Sequence, residues 1–191
     1  TSLLDDAALK KIGSVGKPLA RTEVKLLNAY GEEVALGEVG EICVRGPQVM
    51  KGYLRNPEET SNTIRNGWLH SGDLGRFDDE GYLYIVDRKK DMIIRGGENI
   101  YPIEIEEVLY QMPEILEAAV VGIPHEVYGE VPKAFVVLKE GQVLTETDIL
   151  NYMKTQLAKY KVPAEVQFIA SLPRNASGKV LKHTLRPTQN V

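Results

Sequence analysis

A change of pattern at Asp87-Arg88-Lys89-Lys90-Asp91 constrains this chain more than any other feature. Ahead of it, apolar stretches are short and punctuated by glycine. Residues 24–27 and 41–44 read as strands, and residues 81–86 alternate through Tyr82, Leu83, Tyr84 and Ile85. Turn signals recur at Tyr30-Gly31-Glu32 and Asp78-Asp79-Glu80-Gly81. Asn56 followed by Pro57 predicts one short helix, because Asn caps a helix start and proline suits its first position. This half is expected to form a small, distorted β-barrel.

Behind the pentapeptide, helices and strands alternate. Pro102 opens a predicted helix whose apolar face is Ile105, Val108, Leu109 and Met112, at helical spacing. Residues 118–123 and 134–138 are apolar runs of strand length. Thr145 and Asp148 form a capping box for a second helix that would bury Ile149, Leu150, Met153 and Leu157. The fold class expected is therefore mixed: a β-barrel subdomain over residues 1–89, then a compact α+β domain over residues 90–191. The charged pentapeptide is the candidate hinge.

Composition narrows the function classes. Of 191 residues, 43% are hydrophobic and 26% charged, a globular balance. The net charge of -4 and the lack of a basic stripe argue against nucleic acid as a partner. No apolar run approaches membrane-span length. Cys43, the one cysteine, allows no internal disulfide and suits a reducing, cytoplasmic location. It reads as a small core residue. The opening Thr1-Ser2-Leu3-Leu4 has neither Met nor a signal pattern and is expected to be a fragment boundary.

Four places could carry chemistry. Lys179 ends Pro173-Arg174-Asn175-Ala176-Ser177-Gly178-Lys179, a polar segment expected to be a mobile loop. It is no Walker loop, since Pro173 and Val180 stand where glycine and Ser or Thr are needed. Taken alone, Lys179 is a solvated lysine. Asp73 in His70-Ser71-Gly72-Asp73 could present both carboxylate oxygens to a cis-diol, although a lone Gly-Asp is usually a turn. Arg88 could hold phosphate or pair with Asp87 or Asp91. Gly96-Gly97 before Glu98-Asn99 could admit a ligand to the backbone, or form a plain turn. His70, His125 and His183 lack metal-ligand spacing and are expected to be structural or surface residues, so no metal site is expected. Ser71 lacks the flanking glycines of a nucleophile elbow. Asn175-Ala176-Ser177 matches the glycosylation pattern and is read as a chance match in a cytosolic chain.

The order of these segments is more specific than any one of them. Gly37-Glu38-Val39-Gly40-Glu41-Ile42, Gly52-Tyr53, Gly67-Trp68-Leu69-His70-Ser71-Gly72-Asp73, Gly81 through Asp91, Gly96-Gly97-Glu98-Asn99-Ile100-Tyr101-Pro102 and finally Pro173 through Lys179 resemble the closing motifs of the adenylate-forming enzymes. That superfamily comprises acyl-CoA synthetases, peptide-synthetase adenylation domains and beetle luciferases. The resemblance covers nearly the whole chain. It implies attack of a carboxylate on the α-phosphate of ATP with Mg²⁺ present, giving an acyl-adenylate, and then displacement of AMP by a thiol such as CoA.

By the same resemblance Lys179 is the adenylation lysine. Asp73 and Arg88 contact the nucleotide, and Asn99 approaches it. Lys90 is the hinge, and Gly96 and Gly97 border the CoA tunnel. Plant phenylpropanoid ligases place lysines where Ile94 and Gly96 stand here, leaving Arg95 as a substitute for CoA contact. The family's phosphate loop and acyl pocket precede Thr1, so the chain alone is expected to be inactive. The Gly-Gly-Glu-Asn-Ile-Tyr-Pro segment is closer to fatty and other acyl-CoA synthetases than to peptide-synthetase domains, and no carrier domain follows Lys179. The alternatives are a peptide-synthetase type of adenylation domain or, for the isolated chain, a non-catalytic AMP-binding or interaction module.

Overall fold

The computed structural model describes residues 1–2 and 10–187; Leu3 and Leu4 of the opening tetrapeptide lie outside the described residues. The chain divides into two compact units, Thr1–Lys90 and Asp91–Val191.

The first unit is one antiparallel sheet. Its strands are β1 (Ser14–Gly16), β2 (Glu23–Leu27), β3 (Gly40–Arg45), β4 (Ile64–Arg65), β5 (Trp68–Phe77) and β6 (Leu83–Arg88). Their order is β1-β6-β5-β3-β2, with β4 paired to β5. The expected barrel is corrected to an open sheet, because among the described residues no pairing joins β1 to β2. The outer edge of β2 is already occupied. The chain turns back after Leu27, and the Val34 amide donates to the Leu26 carbonyl at 3.0 Å. Leu26, Ile42 and Leu83 form a small core, supported by Val24, Val44 and Phe77. Helix α1 (Pro57–Thr63) is capped as expected, the Asn56 carboxamide oxygen accepting from the Glu59 amide at 3.0 Å.

Strand β5 is the element that local pattern misses. Glycine and polar residues interrupt its alternation, and it runs straight through the Gly72-Asp73 step that reads as a turn. Ser71 Oγ accepts from the Asp73 amide at 3.1 Å, and the pairing with β6 shifts register between Leu74 and Gly75. Such a bulge re-aims side chains without ending the strand.

Beside this strand, on β3 opposite Leu74, lies Glu41, the buried charged residue among the described residues at 6% exposure. A carboxylate taken from water needs charged or hydrogen-bonding partners. Lys89 donates its ammonium to Glu41 Oε2 at 2.9 Å, and His70 Nδ1 stands 3.0 Å from the same oxygen. The Arg65 guanidinium is 4.0 Å away. Burial pushes the Glu41 carboxyl up, but the hydrogen bonds from His70 and Lys89 outweigh it and hold the group below its ordinary range. Cys43 Sγ lies 3.3 Å from His70 Nδ1. Its own burial, and then the Glu41 charge, push the thiol up to about 11, so it stays protonated and inert at neutral pH.

The second unit contains β7 (Ile93–Arg95), β8 (Glu98–Ile100), α2 (Pro102–Tyr110), β9 (Ile115–His125), β10 (Gly129–Leu138), α3 (Glu146–Gln156) and β11 (Glu165–Phe168), then a 3₁₀ turn at Lys182–Thr184. Its sheet runs β11-β10-β7-β8, with β9 on β10. The β10–β11 pair is parallel and the others antiparallel. Strand residues alternate between two faces. Ala118, Val120, Ala134 and Val136 face the helices and pack with Ile105, Leu109, Ile149 and Met153. Ala119, Val121, Phe135 and Val137 face the other way and pack with Leu172, Val180 and Leu185. Both faces are covered, which explains why these strands read as unbroken apolar runs. Leu150 and Leu157 are partly buried against the helical face, as their spacing predicts. Among the described residues no helix is long and apolar enough to cross a membrane.

Two measurements check this packing. Thr145 accepts from the Asp148 amide at 3.2 Å, and the Asp148 carboxylate accepts in return from the Thr145 amide at 2.9 Å. Thr145→Ala should lower stability by about 1 kcal/mol in urea titrations, the usual value of a lost cap. Glu41 is a depressed carboxylate, so its stabilisation is present above the ordinary value near 4.3 and is lost as pH falls through the lower folded value. The stability gap between wild type and Glu41→Gln should therefore be full above about pH 4.3 and close on further acidification. A gap independent of pH would contradict the ion network.

Candidate functional site

Three of the expected residues share one cleft in the first unit. Its volume is about 520 Å³, and Ser71, Gly72, Asp73, Arg88, Lys89 and Lys90 line it. Antiparallel pairing of β5 with β6 sets Asp73 directly opposite Arg88. Arg88 Nε lies 3.7 Å from Asp73 Oδ1, with both side chains about two-fifths exposed. That is a loose, solvated ion pair of small energetic worth. Its partners can exchange each other for a ligand at little cost. Beneath the cleft the frame is tighter. The Lys89 amide donates to the Gly72 carbonyl at 2.9 Å while its ammonium holds Glu41. Asp87 accepts from the Arg88 amide at 2.7 Å. The cleft thus offers a carboxylate suited to paired hydroxyls beside cations suited to phosphate.

In the second unit, Gly96 and Gly97 are the central residues of a two-residue hairpin joining β7 to β8, flanked by the Arg95–Glu98 pair. Their φ values of +59° and +92° are those of the tight hairpin turn that favours glycine at both positions. Turn geometry alone accounts for both glycines. Space remains above Gly97, where a Cβ would meet nothing within 4 Å, whereas on Gly96 it would touch the Tyr128 ring at 3.5 Å. Asn99 is exposed on β8, paired in register with Ile94. Beside the hairpin, Arg95 donates to the Tyr160 carbonyl at 2.6 Å and lies 4.9 Å from the Tyr128 ring centroid.

Lys179 stands on a different loop of the same unit, exposed, one residue before the Arg174–Val180 bridge closes. Among the described residues its ammonium has no partner. A cation with no partner among these residues is available to a ligand's charge.

The three histidines do not meet. His70 belongs to the Glu41 network, His125 stacks on Tyr128 at 5.0 Å, and His183 is exposed in the 3₁₀ turn. Ligand atoms of Glu41, Cys43 and His70 do lie within 4.8 Å of one another. The Lys89 ammonium already sits on that Glu41 oxygen, so the cluster carries its own cation. Sequence reading missed Glu41 and Lys89 as the support of the cleft. The one available signal was a charged residue, Glu41, inside a strand whose neighbours Gly40, Ile42 and Cys43 are all small or apolar.

The family model for the C-terminal domain of AMP-binding enzymes matches residues 104–179, and the model for the AMP-binding enzyme itself matches residues 1–54. The 2-succinylbenzoate–CoA ligase of Bacillus cytotoxicus is 51% identical over 185 residues, covering 97% of this chain and 38% of that protein. The enzyme of the same name from Geobacillus kaustophilus is 46% identical over the same shares. The chain thus spans well under half the length of these curated relatives. Among solved structures, o-succinylbenzoate CoA synthetase from Bacillus subtilis in complex with its acyl-adenylate intermediate superposes with a TM-score of 0.88. It is 43% identical, covering 98% of this chain and 38% of that one. The amide bond synthetase McbA from Marinactinospora thermotolerans gives a TM-score of 0.84 at 36% identity, covering 92% and 36%. With both family models matched in order and relatives near half identity across almost its whole length, the chain belongs to the adenylate-forming, AMP-binding enzymes and corresponds to their C-terminal portion.

Proposed function

We propose that this chain is the closing portion of an ATP-dependent acid–CoA ligase. In this reading, residues 1–89 complete the nucleotide-binding domain and residues 90–191 form a C-terminal domain that moves about Lys90. A carboxylate oxygen of the acid attacks the α-phosphorus of ATP, the bond to pyrophosphate breaks, and an acyl-adenylate forms. Mg²⁺ enters with the nucleotide. The CoA thiolate then attacks the acyl carbon, the acyl–phosphate bond breaks, and AMP leaves.

The observation that carries the reading is the open Asp73–Arg88 cleft of the first unit; in the second unit Lys179 is exposed, with no partner for its ammonium among the described residues. Asp73 accepts from the two ribose hydroxyls, and Arg88 exchanges its loose ion pair for the nucleotide. Lys179 answers the problem of two anions that must approach, since a positioned cation stabilises charge in the transition state. A compact ammonium on a flexible stem suits that role. Gly96 and Gly97 border the path of the pantetheine arm, Gly97 opening onto free space and Gly96 lying against the Tyr128 ring, with Arg95 beside them for a phosphate, and Asn99 faces the nucleotide in one state. The partners are a carboxylic acid, ATP and CoA, in a cytoplasmic setting. The acid is a fatty or other acyl acid, and 2-succinylbenzoate enters the panel because relatives are named for it.

The acceptor deserves its own test, since a structure of 36% identity is an amide bond synthetase. In the full-length protein, AMP release measured over a panel of acids should depend on CoA; release that responds to amines instead would overturn the thiol assignment. Lys179→Ala should slow acid-dependent pyrophosphate release by roughly 100-fold or more, the scale of one lost electrostatic group. It should spare thioester formation from a supplied acyl-adenylate, as stopped-flow assays of the two half-reactions can establish. Lys90→Pro restricts backbone rotation and should slow only the second half-reaction; an unchanged thioester rate would remove Lys90 as the pivot.

A further inference from the structure

We propose that Arg174 and Asn175 are positioning residues for Lys179, and that they assemble its loop before any substrate arrives. The inference rests on the reading of Lys179 as the cation of adenylate formation. Its polar sequence predicts a mobile segment, but the structure gives a closed turn with a hydrogen-bond frame of its own.

Asn175 holds the turn from inside. Its side-chain oxygen accepts from the Ser177 amide at 3.1 Å, the Ser177 hydroxyl at 2.8 Å and the Lys179 amide at 2.9 Å. The Asn175 amide donates to the Lys179 carbonyl at 3.0 Å, and the Gly178 amide donates to the Asn175 carbonyl at 2.9 Å. Both backbone polar groups of Lys179 are therefore committed to one residue. Gly178, at φ +81°, supplies the left-handed step that lets the chain return.

Arg174 holds the same turn from outside. One terminal nitrogen donates to the Gly178 carbonyl at 2.6 Å, and the other pairs with the Glu117 carboxylate on β9. A planar guanidinium can make both contacts at once, whereas an ammonium is a single point charge. Strand β9 is paired to β10 along nearly its whole length, so the seat is firm. The Leu181 amide closes the base of the turn on the Pro173 carbonyl at 2.8 Å. Below it, Val180 and Leu172 join the apolar cluster on that face of the sheet.

Lys179 thus has a held backbone and an ammonium with no partner among the described residues. A cation that answers transient negative charge works best when it is held before the charge appears, because no reorganisation is then needed at the moment of reaction. The frame sets the point from which the lysine reaches, and misplacement of a reacting group by about 1 Å can cost on the order of 100-fold in rate.

Two readouts test the proposal together. Amide exchange on the 191-residue chain should show Lys179 and Ser177 amides losing protection in Asn175→Ala, with the β9–β10 amides unchanged. Asn175→Asp retains the accepting oxygen and should keep that protection. In the full-length protein, Asn175→Ala and Arg174→Lys should each slow adenylate formation by roughly 10- to 100-fold while leaving transfer from a supplied acyl-adenylate near wild type. Unaltered protection at Lys179, or equal loss of both half-reactions, overturns the positioning role. Lys179→Ala separates the two ideas. If that variant still forms adenylate, the reading of Lys179 fails; if it does not, yet Asn175→Ala and Arg174→Lys form adenylate at wild-type rates, the frame fails alone.

Discussion

A carboxylate withdrawn from water must be met by cations and donors, and in the first unit Glu41 meets that demand by gathering Lys89 and His70 onto one oxygen. Lys89 lines the cleft, and His70 immediately precedes its lining residue Ser71. His70 leads into Ser71-Gly72-Asp73 on β5, and Lys89 follows Arg88 at the end of β6. The same Lys89 gives its backbone amide to Gly72. One buried charge therefore locks together the two strands that carry Asp73 and Arg88. At the rim the pairing is deliberately loose by comparison: Asp73 and Arg88 are half in water and 3.7 Å apart. The strong contacts lie in the buried support and the weak ones at the solvated rim.

The second unit divides the work in a similar way. Its sheet is buried on both faces, the helices covering one and the segment from Leu172 to Leu185 the other. The loop of Lys179 springs from that second cover. It is anchored to β9 through Glu117, and among the described residues the Lys179 ammonium meets no partner. In both units a rigid support of strands and hydrogen bonds holds an exposed charged group ready.

Most helices and core strands were legible from sequence because their signals are local. Asn56-Pro57 and Thr145 with Asp148 are caps that act within one helical turn, and both form. Ile105, Val108, Leu109 and Met112 all lie buried on the predicted face. β5 was not legible: its glycines and polar residues break the alternation, and it is a strand because β3 and β6 flank it. The closure of the first sheet was misjudged for a related reason. Whether an edge meets another edge depends on what already covers it, here the chain returning after Leu27.

Motif order sufficed to identify the family and to nominate Asp73, Arg88 and Lys179, since each is named by its neighbours in the chain. What those residues can reach was decided elsewhere. Register across β5 and β6 put Asp73 opposite Arg88. Residues dozens of positions apart, Glu41 with Lys89 and Glu117 with Arg174, built the supports beneath the cleft and the loop. Sequence determines local conformation and chemical type, because those depend on adjacent residues. The geometry of the site depends on pairings between distant strands, and only the tertiary structure decides which of those form.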